Sequence, residues 1–388
     1  MIDISDPARC CGCSACASIC GKKAITMRPD ALGFLYPEVD AEKCIDCGLC
    51  EKVCAFNAHY DIFANLHEPK VYAVRHRDLG EIAKSRSGAM FAALSDWVLE
   101  RGGVVYGAGY VDHFRVAHKR AVNREQRDEF RGSKYVQSDM GNIFLCVADD
   151  LRNGQTVLFT GTPCQTSGLR SFLRMKRLPL DSLYVADIVC HGVPAPNIWR
   201  DYLAYVERKY GDKVLGVSFR DKKEFGWAAH HESFVFPIKN KKVGSTYSYL
   251  FSKCIMFRHS CGQCHFTNLH RPSDITLADF WGWQKVDKDF NADDKGVSLV
   301  LLNTEKGIRL FESVKSQLDI READTKVCLQ PNLQHPSVIH PRRQAFEEDY
   351  ARHGFLYVAR KYGDMGWRYK LKLLKRKCRT AIRLVLKR

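Results

Sequence analysis

The stretch RCCGCSACASIC, residues 9–20, reads from Cys10 as Cys10-x2-Cys13-x2-Cys16-x3-Cys20. The same spacing returns in CIDCGLCEKVC, residues 44–54, as Cys44-x2-Cys47-x2-Cys50-x3-Cys54. Three thiolates at two-residue intervals wrap one side of an iron–sulfur cube, and in duplicated arrays the fourth cysteine of each run ligates the other cluster. The spacing therefore assigns Cys10, Cys13, Cys16 and Cys54 to one 4Fe–4S cluster, and Cys44, Cys47, Cys50 and Cys20 to a second. Cys11 is an extra thiol inside the first loop, shielding a cluster or incidental. Gly21 and Ala55 stand where proline ordinarily follows the fourth cysteine. Zinc sites use paired ligands rather than a duplicated three-plus-one array. A segment of about sixty residues has too small a core to fold without such staples.

The rest of the chain is long enough for more. With 388 residues, at roughly 100–200 per domain, it has room for two or three domains. Its apolar fraction of 45% supplies an ordinary soluble core. No apolar run approaches the length of a membrane span, and the start lacks the basic and apolar regions of a signal peptide. Seventeen cysteines without an export signal read as metal-binding or redox thiols in a reducing cytoplasm rather than as disulfides. The formal charge is +16, but ten lysines and arginines with no acid fall in residues 368–388, leaving +6 on the remainder.

After residue 70 the pattern alternates. VYAVRH, VVYGAGYV, FRVAHKRAV, VLGVSFR, ESFVFPI, DITLADF and VSLVLL read as strands. SGAMFAALSDWVLERGG and GIRLFESVKSQL read as helices, while residues 155–173 and 183–211 each read strand, tight turn, helix. This order predicts an α/β body with a mixed sheet. The fold class is α+β: a bacterial-type dicluster ferredoxin domain over 1–60, a body in two parts over 71–150 and 151–330, and a helical extension over 331–388. No G-x-G-x-x-G opens a helix, so a Rossmann fingerprint is absent. Cys164 and Cys190 lie at predicted strand ends, and SCGQC adds Cys261 and Cys264. Together they make the four thiolates that a third cluster needs. The CxxC pair alone also suits zinc or a redox dithiol. Cys254 is the reserve ligand.

The blocks GSKYVQSDMG, VLFTGTPCQTSGL, DIVCHGVP, SFRDKKEFGW and SCGQC…RPSDITLADFWG resemble, in order, the coenzyme F(420) hydrogenase/dehydrogenase beta-subunit family. The resemblance runs from about residue 71 to about 330, and a dicluster ferredoxin domain is a common N-terminal fusion in that family. It implies an FAD-binding body with its own 4Fe–4S cluster on Cys164, Cys190, Cys261 and Cys264. It also implies flavin contacts from Ser87, Gly88, Lys134 and Tyr135, with Ala89 standing where a second glycine is common. Arg220, Lys222 and Trp227 line the flavin or acceptor pocket on the same ground. Asp279 and Trp281 shape a loop or touch substrate. His191 is the candidate proton donor, or caps its loop.

The implied activity is an iron–sulfur flavoprotein oxidoreductase. Electrons from a ferredoxin-like donor pass through clusters to FAD and on to a small molecule, in a layout shared with relatives found beside surface-polysaccharide synthesis. The alternatives are oxidoreduction of deazaflavin coenzyme F(420), or an electron-transfer role within a larger complex. Residues 368–388 place Leu371, Leu374, Cys378, Ile382 and Val385 on one helical face among basic residues. That pattern suits an anionic membrane surface or a protein partner. The expected location is cytoplasmic, peripheral to the inner membrane face if the tail meets lipid. Nucleic acid is not an expected partner.

Overall fold

Between the two cysteine runs the chain reverses in a hairpin, β1 (Ile25–Pro29) against β2 (Leu35–Val39). Asp30 sets the turn, its Oδ1 accepting from the amides of Leu32 at 2.9 Å and Phe34 at 2.8 Å. The computed structural model describes residues 2–56, 65–238, 240–367, 369 and 371.

The body begins with β3 (Asn65–His76), β4 (Val104–Val111), β5 (Arg115–Ala121), β6 (Val157–Gly161) and β7 (Leu183–Ile188). A small antiparallel sheet follows, β8 (Gly216–Ser218), β9 (Glu232–Phe236) and β10 (Asn240–Gly244). The chain then returns through β11 (Ile275–Asp279), β12 (Ser298–Thr304) and β13 (Leu318–Ala323). The large sheet runs β13-β3-β12-β11-β7-β6-β4-β5. Its centre is parallel (β11, β7, β6, β4) and its flanks antiparallel.

Strand periodicity sorts the core. Val105 and Leu158 face one way, packing with Met90, Leu94 and Val98 of helix Met90–Leu99 and with Leu310 and Phe311 of helix Glu305–Val314. Val104, Tyr106, Val157 and Phe159 face the other way, onto helices Ile143–Arg152 and Pro163–Met175. The side-chain period of two in a strand requires this division. The N-terminal segment has no separate core: Ala15, Cys16, Ile19 and Val53 share one apolar cluster with Phe144, Leu169 and Phe172. Leu32 and Phe34 of the hairpin join another, with Trp199 and Tyr202. Asn197 seals that contact, its amide donating to Leu32 O at 2.9 Å and its Nδ2 to Ala31 O at 3.0 Å.

The mixed α/β architecture agrees with the sequence reading. Strands β1, β2, β10 and β13 leave no clear sequence pattern, being short and only partly buried. Residues 343–361 form helix Arg343–Lys361, broken at Gly354 (φ 73°, ψ −175°). No helix among the described residues is long and apolar enough to cross a membrane. The predicted basic tail lies outside the described residues, apart from 369 and 371.

Candidate functional site

The repeat in sequence is also a repeat in backbone. Gly12 and Ser14 flank Cys13 with φ of 70° and 64°, while Asp46 and Gly48 flank Cys47 with 49° and 69°. Each pair of left-handed residues curls the loop, and a short helix then carries the third cysteine, Ala15–Ile19 in one case and Leu49–Lys52 in the other. Burial pushes the Cys16 thiol up, and the nearby thiols of Cys13, Cys10 and Cys54 add to it, so these four sulfurs share one neighbourhood. In the second run Cys50 is buried and Cys47 exposed. The amides of Ala24 and Ile2 donate to Cys20 Sγ and Cys50 Sγ, each at 3.3 Å.

A second thiol neighbourhood lies where the parallel strands end. Cys164 follows β6 in the first turn of helix Pro163–Met175, which starts with Thr162 N–H donating to Gln165 Oε1 at 2.9 Å. Cys190 follows β7. Cys261 and Cys264 arrive on the 3-10 turn His259–Gln263, and the Val193 amide donates to Cys261 Sγ at 3.4 Å. Burial and the other three thiols push Cys190 up; burial, then Cys164 and Cys264, raise Cys261 to about 12, and burial, then Cys164, raise Cys264 to about 11. All four line one small cavity of about 30 Å³ with Cys11 and Arg258. No group of three His, Cys, Asp or Glu side chains among the described residues suits a single metal ion. A cubane instead holds its thiolates apart at four corners, and cluster iron would offset the mutual repulsion of four buried thiolates.

The two neighbourhoods touch. The Cys11 thiol is within hydrogen-bonding reach of Cys13 on one side and Cys164 on the other. Gly168, one turn beyond Cys164, lies against Cys13: a Cβ there would stand 2.8 Å from its Sγ. The extra cysteine thus occupies the junction.

Beyond Cys190 opens the main cavity, about 580 Å³, within the roughly 300–1,000 Å³ of ligand pockets. Cys190, His191, Gly192, Val193 and Asn332 line both spaces. The cavity sits outside the carboxyl ends of the parallel strands, where open α/β sheets ordinarily bind ligands. Its floor is a polar chain: His118 Nε2 meets Thr160 O at 3.0 Å, His118 Nδ1 meets Ser138 Oγ at 2.8 Å, and Gln165 Nε2 donates to Ser138 Oγ at 3.0 Å. Burial pulls His118 down to about 4, which keeps it neutral; the Thr160 carbonyl then takes the Nε2 proton and Ser138 donates to Nδ1.

The wall is cationic. Asp279, ending β11, accepts from Arg220 and, at Oδ1, from Trp227 Nε1 at 3.3 Å. Arg86 donates to the carbonyls of Arg220 (3.0 Å) and Trp227; its buried Nε has no hydrogen-bond partner among the described residues and lies 3.9 Å from Asp279 Oδ2. Burial, and then the Arg220 charge, pull Arg86 down to about 10. Trp281 stacks on Trp227 with ring centroids 4.8 Å apart, lies 44% exposed, and carries the Arg220 guanidinium 5.2 Å above its ring. Lys134 donates to the carbonyls of Glu129 at 2.5 Å and Arg131 at 3.0 Å, and burial pulls it down to about 7.

Of the residues singled out from sequence, Ser87, Lys134, Tyr135, Cys190, His191 and Arg220 line this cavity, with Asp279 and Trp281. Gly88, Lys222 and Trp227 stand behind the lining. A Cβ on Gly88 would meet Val74 O at 2.0 Å, so its role is packing against β3. Lys222 Nζ ties the Ser87 loop by donating to the carbonyls of Ile82 and Lys295, each at 2.7 Å. Ala89 holds φ 69°, the conformation that a glycine adopts freely and that costs alanine about 1–2 kcal/mol. Cys254 Sγ lies 3.7 Å from His191 Nε2, and Phe251 and Phe257 pack around that ring. Arg86, His118 and His230 also line the cavity; Arg86 alone had a sequence signal, its place beside Ser87.

Residues 154–326 match the family model for the C terminus of the beta subunit of coenzyme F(420) hydrogenase/dehydrogenase, and residues 9–58 match the 4Fe-4S dicluster domain. Over these residues the chain is similar to the beta subunits of coenzyme F(420) hydrogenase/dehydrogenase, behind a dicluster domain. It is an iron–sulfur electron-transfer protein related to that beta subunit, with an N-terminal dicluster domain. A solved chain of the F(420)-reducing NiFe hydrogenase complex from Methanosarcina barkeri matches at TM-score 0.47 and 16% identity, over 78% of this chain and 93% of that one. No curated protein matches the sequence.

Proposed function

We propose that this chain carries electrons between a ferredoxin-type donor and a flavin, FAD, held in the 580 Å³ cavity, through three 4Fe–4S clusters. The outer cluster sits on Cys20, Cys44, Cys47 and Cys50. The inner one sits on Cys10, Cys13, Cys16 and Cys54, and the body cluster on Cys164, Cys190, Cys261 and Cys264. The observation that carries this reading is the shared wall: residues 190–193 line both the thiol cavity and the large one. An electron reaching the thiols is then one loop from a bound ligand.

A bound flavin supplies the exchange between single electrons and hydride. The chain's own residues do the rest. Arg86, Lys134 and Arg220 present positive charge to an anionic cofactor or acceptor, and Arg86 Nε is a donor with no hydrogen-bond acceptor among the described residues. Trp281 offers an exposed ring braced by Trp227 for a flat acceptor. His191, held below its usual value by burial, is placed to exchange a proton with a ligand. The family match supports deazaflavin coenzyme F(420), or a catalytic partner within a complex, as the far end of the path. The surface-polysaccharide setting rests on layout alone.

The test is anaerobic purification with iron, acid-labile sulfide, zinc and flavin measured per chain. About twelve irons and one FAD are expected, the total for three 4Fe–4S clusters and one flavin. About eight irons would remove the body cluster, and absence of flavin binding would remove the pocket assignment.

A further inference from the structure

Arg258 is fully buried. Its Nε donates to Cys10 O at 2.7 Å, and its Nη2 donates to Leu35 O at 2.9 Å and to Cys10 Sγ at 3.4 Å. Its Nη1 donates to Gln137 Oε1 at 3.0 Å, while Gln137 Nε2 donates to Cys11 O at 2.9 Å. The guanidinium lies over the rings of Tyr36 at 4.1 Å and Phe34 at 5.5 Å. Its own carbonyl accepts from the Cys261 amide at 3.1 Å, and it lines the small cavity with Cys164, Cys190, Cys261 and Cys264. Every partner named is a neutral carbonyl, an amide, a ring or a thiol. No carboxylate among the described residues is in ion-pair contact with it.

A buried cation without a counter-charge is expensive, by several kcal/mol even after relaxation. The other buried arginines solve this with acids: Arg75 pairs with Asp293, Arg127 with Asp96 and Asp128, Arg220 with Asp279, Arg271 with Asp187, and Arg343 with Glu347. Arg258 has no such ion pair among the described residues: the Asp30 carboxylate feels its charge from further off, and the closest potential counter-charges are the sulfur ligands of two adjacent sites. The chain also makes room for it. A Cβ on Gly12 would stand 2.8 Å from Arg258 Nη1, so the residue that must hold a positive φ beside Cys13 must also lack a side chain.

We infer that Arg258 is a positioning residue whose charge is balanced by the inner ferredoxin cluster and the body cluster together, and that it holds the reduction potentials of both up relative to the outer cluster. The body-cluster half of this rests on the function proposed above. The physical cause is electrostatic: reduction adds negative charge, and a fixed cation in a dry site stabilises the reduced form. Charge and hydrogen bonds to the sulfurs are two of the factors that set such potentials. Its contacts include none of Cys20, Cys44, Cys47 or Cys50, so the outer cluster serves as an internal reference.

The experiment is an anaerobic redox titration of the full chain, followed by electron paramagnetic resonance, in Arg258→Gln and Arg258→Lys with iron counted in each. In Arg258→Gln the inner and body potentials are expected to fall while the outer one stays. Arg258→Lys is expected to recover most of the fall. Full iron with no shift, or an equal shift at the outer cluster, overturns the inference. If Arg258→Gln loses iron, Arg258→Lys decides. Full iron and near-native potentials support the role of charge. Full iron with fallen potentials overturns it, and loss of iron there too makes Arg258 a structural clamp only. A parent chain with about eight irons, in which only the inner potential moves, would fail the proposed body cluster and the coupling with it while leaving Arg258 at the inner site.

Discussion

The two halves of the ferredoxin segment have the same cysteine spacing and the same sequence of left-handed residues, yet they live in different surroundings. The inner half is buried against helix Pro163–Met175 and Arg258, with its Cys11 reaching Cys164. The outer half presents Cys47 and Ile45 to solvent, the latter 64% exposed. Spacing therefore provides the ligands, whereas packing assigns the roles. On the function proposed above, the outer half faces the donor and the inner half hands electrons inward.

The sharpest way to break this comparison is a pair of single-methyl changes. Gly12→Ala pushes a Cβ against Arg258 in an already left-handed residue, whereas Gly48→Ala meets nothing within 4 Å. Gly12→Ala is expected to lose most inner-cluster iron. Gly48→Ala is expected to keep full iron at a cost of about 1–2 kcal/mol in stability. Equal iron in the two would show that burial does not distinguish the halves.

Chelator or oxygen challenge tests the same contrast more gently. The outer cluster is expected to go first, leaving about eight of about twelve irons before further loss. Simultaneous loss would mean that exposure of Cys47 has no consequence. At the far end of the path, Trp281→Ala is expected to weaken binding of a flat acceptor by about 1–2 kcal/mol, some 5–30-fold in Kd by calorimetry, with iron unchanged.

Lys134 gives a smaller, pH-dependent effect. Its pKa is pulled down to about 7, so it is cationic below that value and neutral above it. Affinity for an anionic cofactor is expected to fall a few-fold as pH rises through 7, and the profile should flatten in Lys134→Met. The smallest effect is at the surface: Ile45→Lys should change the rate of reduction by a protein donor a few-fold without altering iron content.

Legibility differs in the same way between regions. The N-terminal dicluster domain could be read because a cube of iron and sulfur dictates short, repeated cysteine spacing. The body thiols are separated by up to a hundred residues, but two of them end neighbouring parallel strands, β6 and β7, whose apolar runs reveal where strands stop. The turn His259–Gln263 that delivers Cys261 and Cys264 has no periodicity to betray it. Arg258 could not be read at all, since a basic residue in sequence is ordinarily a solvated one and only tertiary packing buries it; Arg86 had no signal beyond its place beside Ser87. Gly88 shows the converse: a glycine in a family-like turn suggests a close cofactor approach, while the structure gives it Val74 O to clear.

The most direct measurement is stopped-flow reduction of the flavin-loaded chain by a one-electron donor, run beside Cys190→Ala. In the parent chain cluster absorbance should bleach before the flavin does. In the variant the ferredoxin clusters should still bleach, while flavin reduction slows by a factor of about 100 or more, on the order of 2.7 kcal/mol. Flavin reduction at the parent rate in Cys190→Ala would contradict a path through the body thiols.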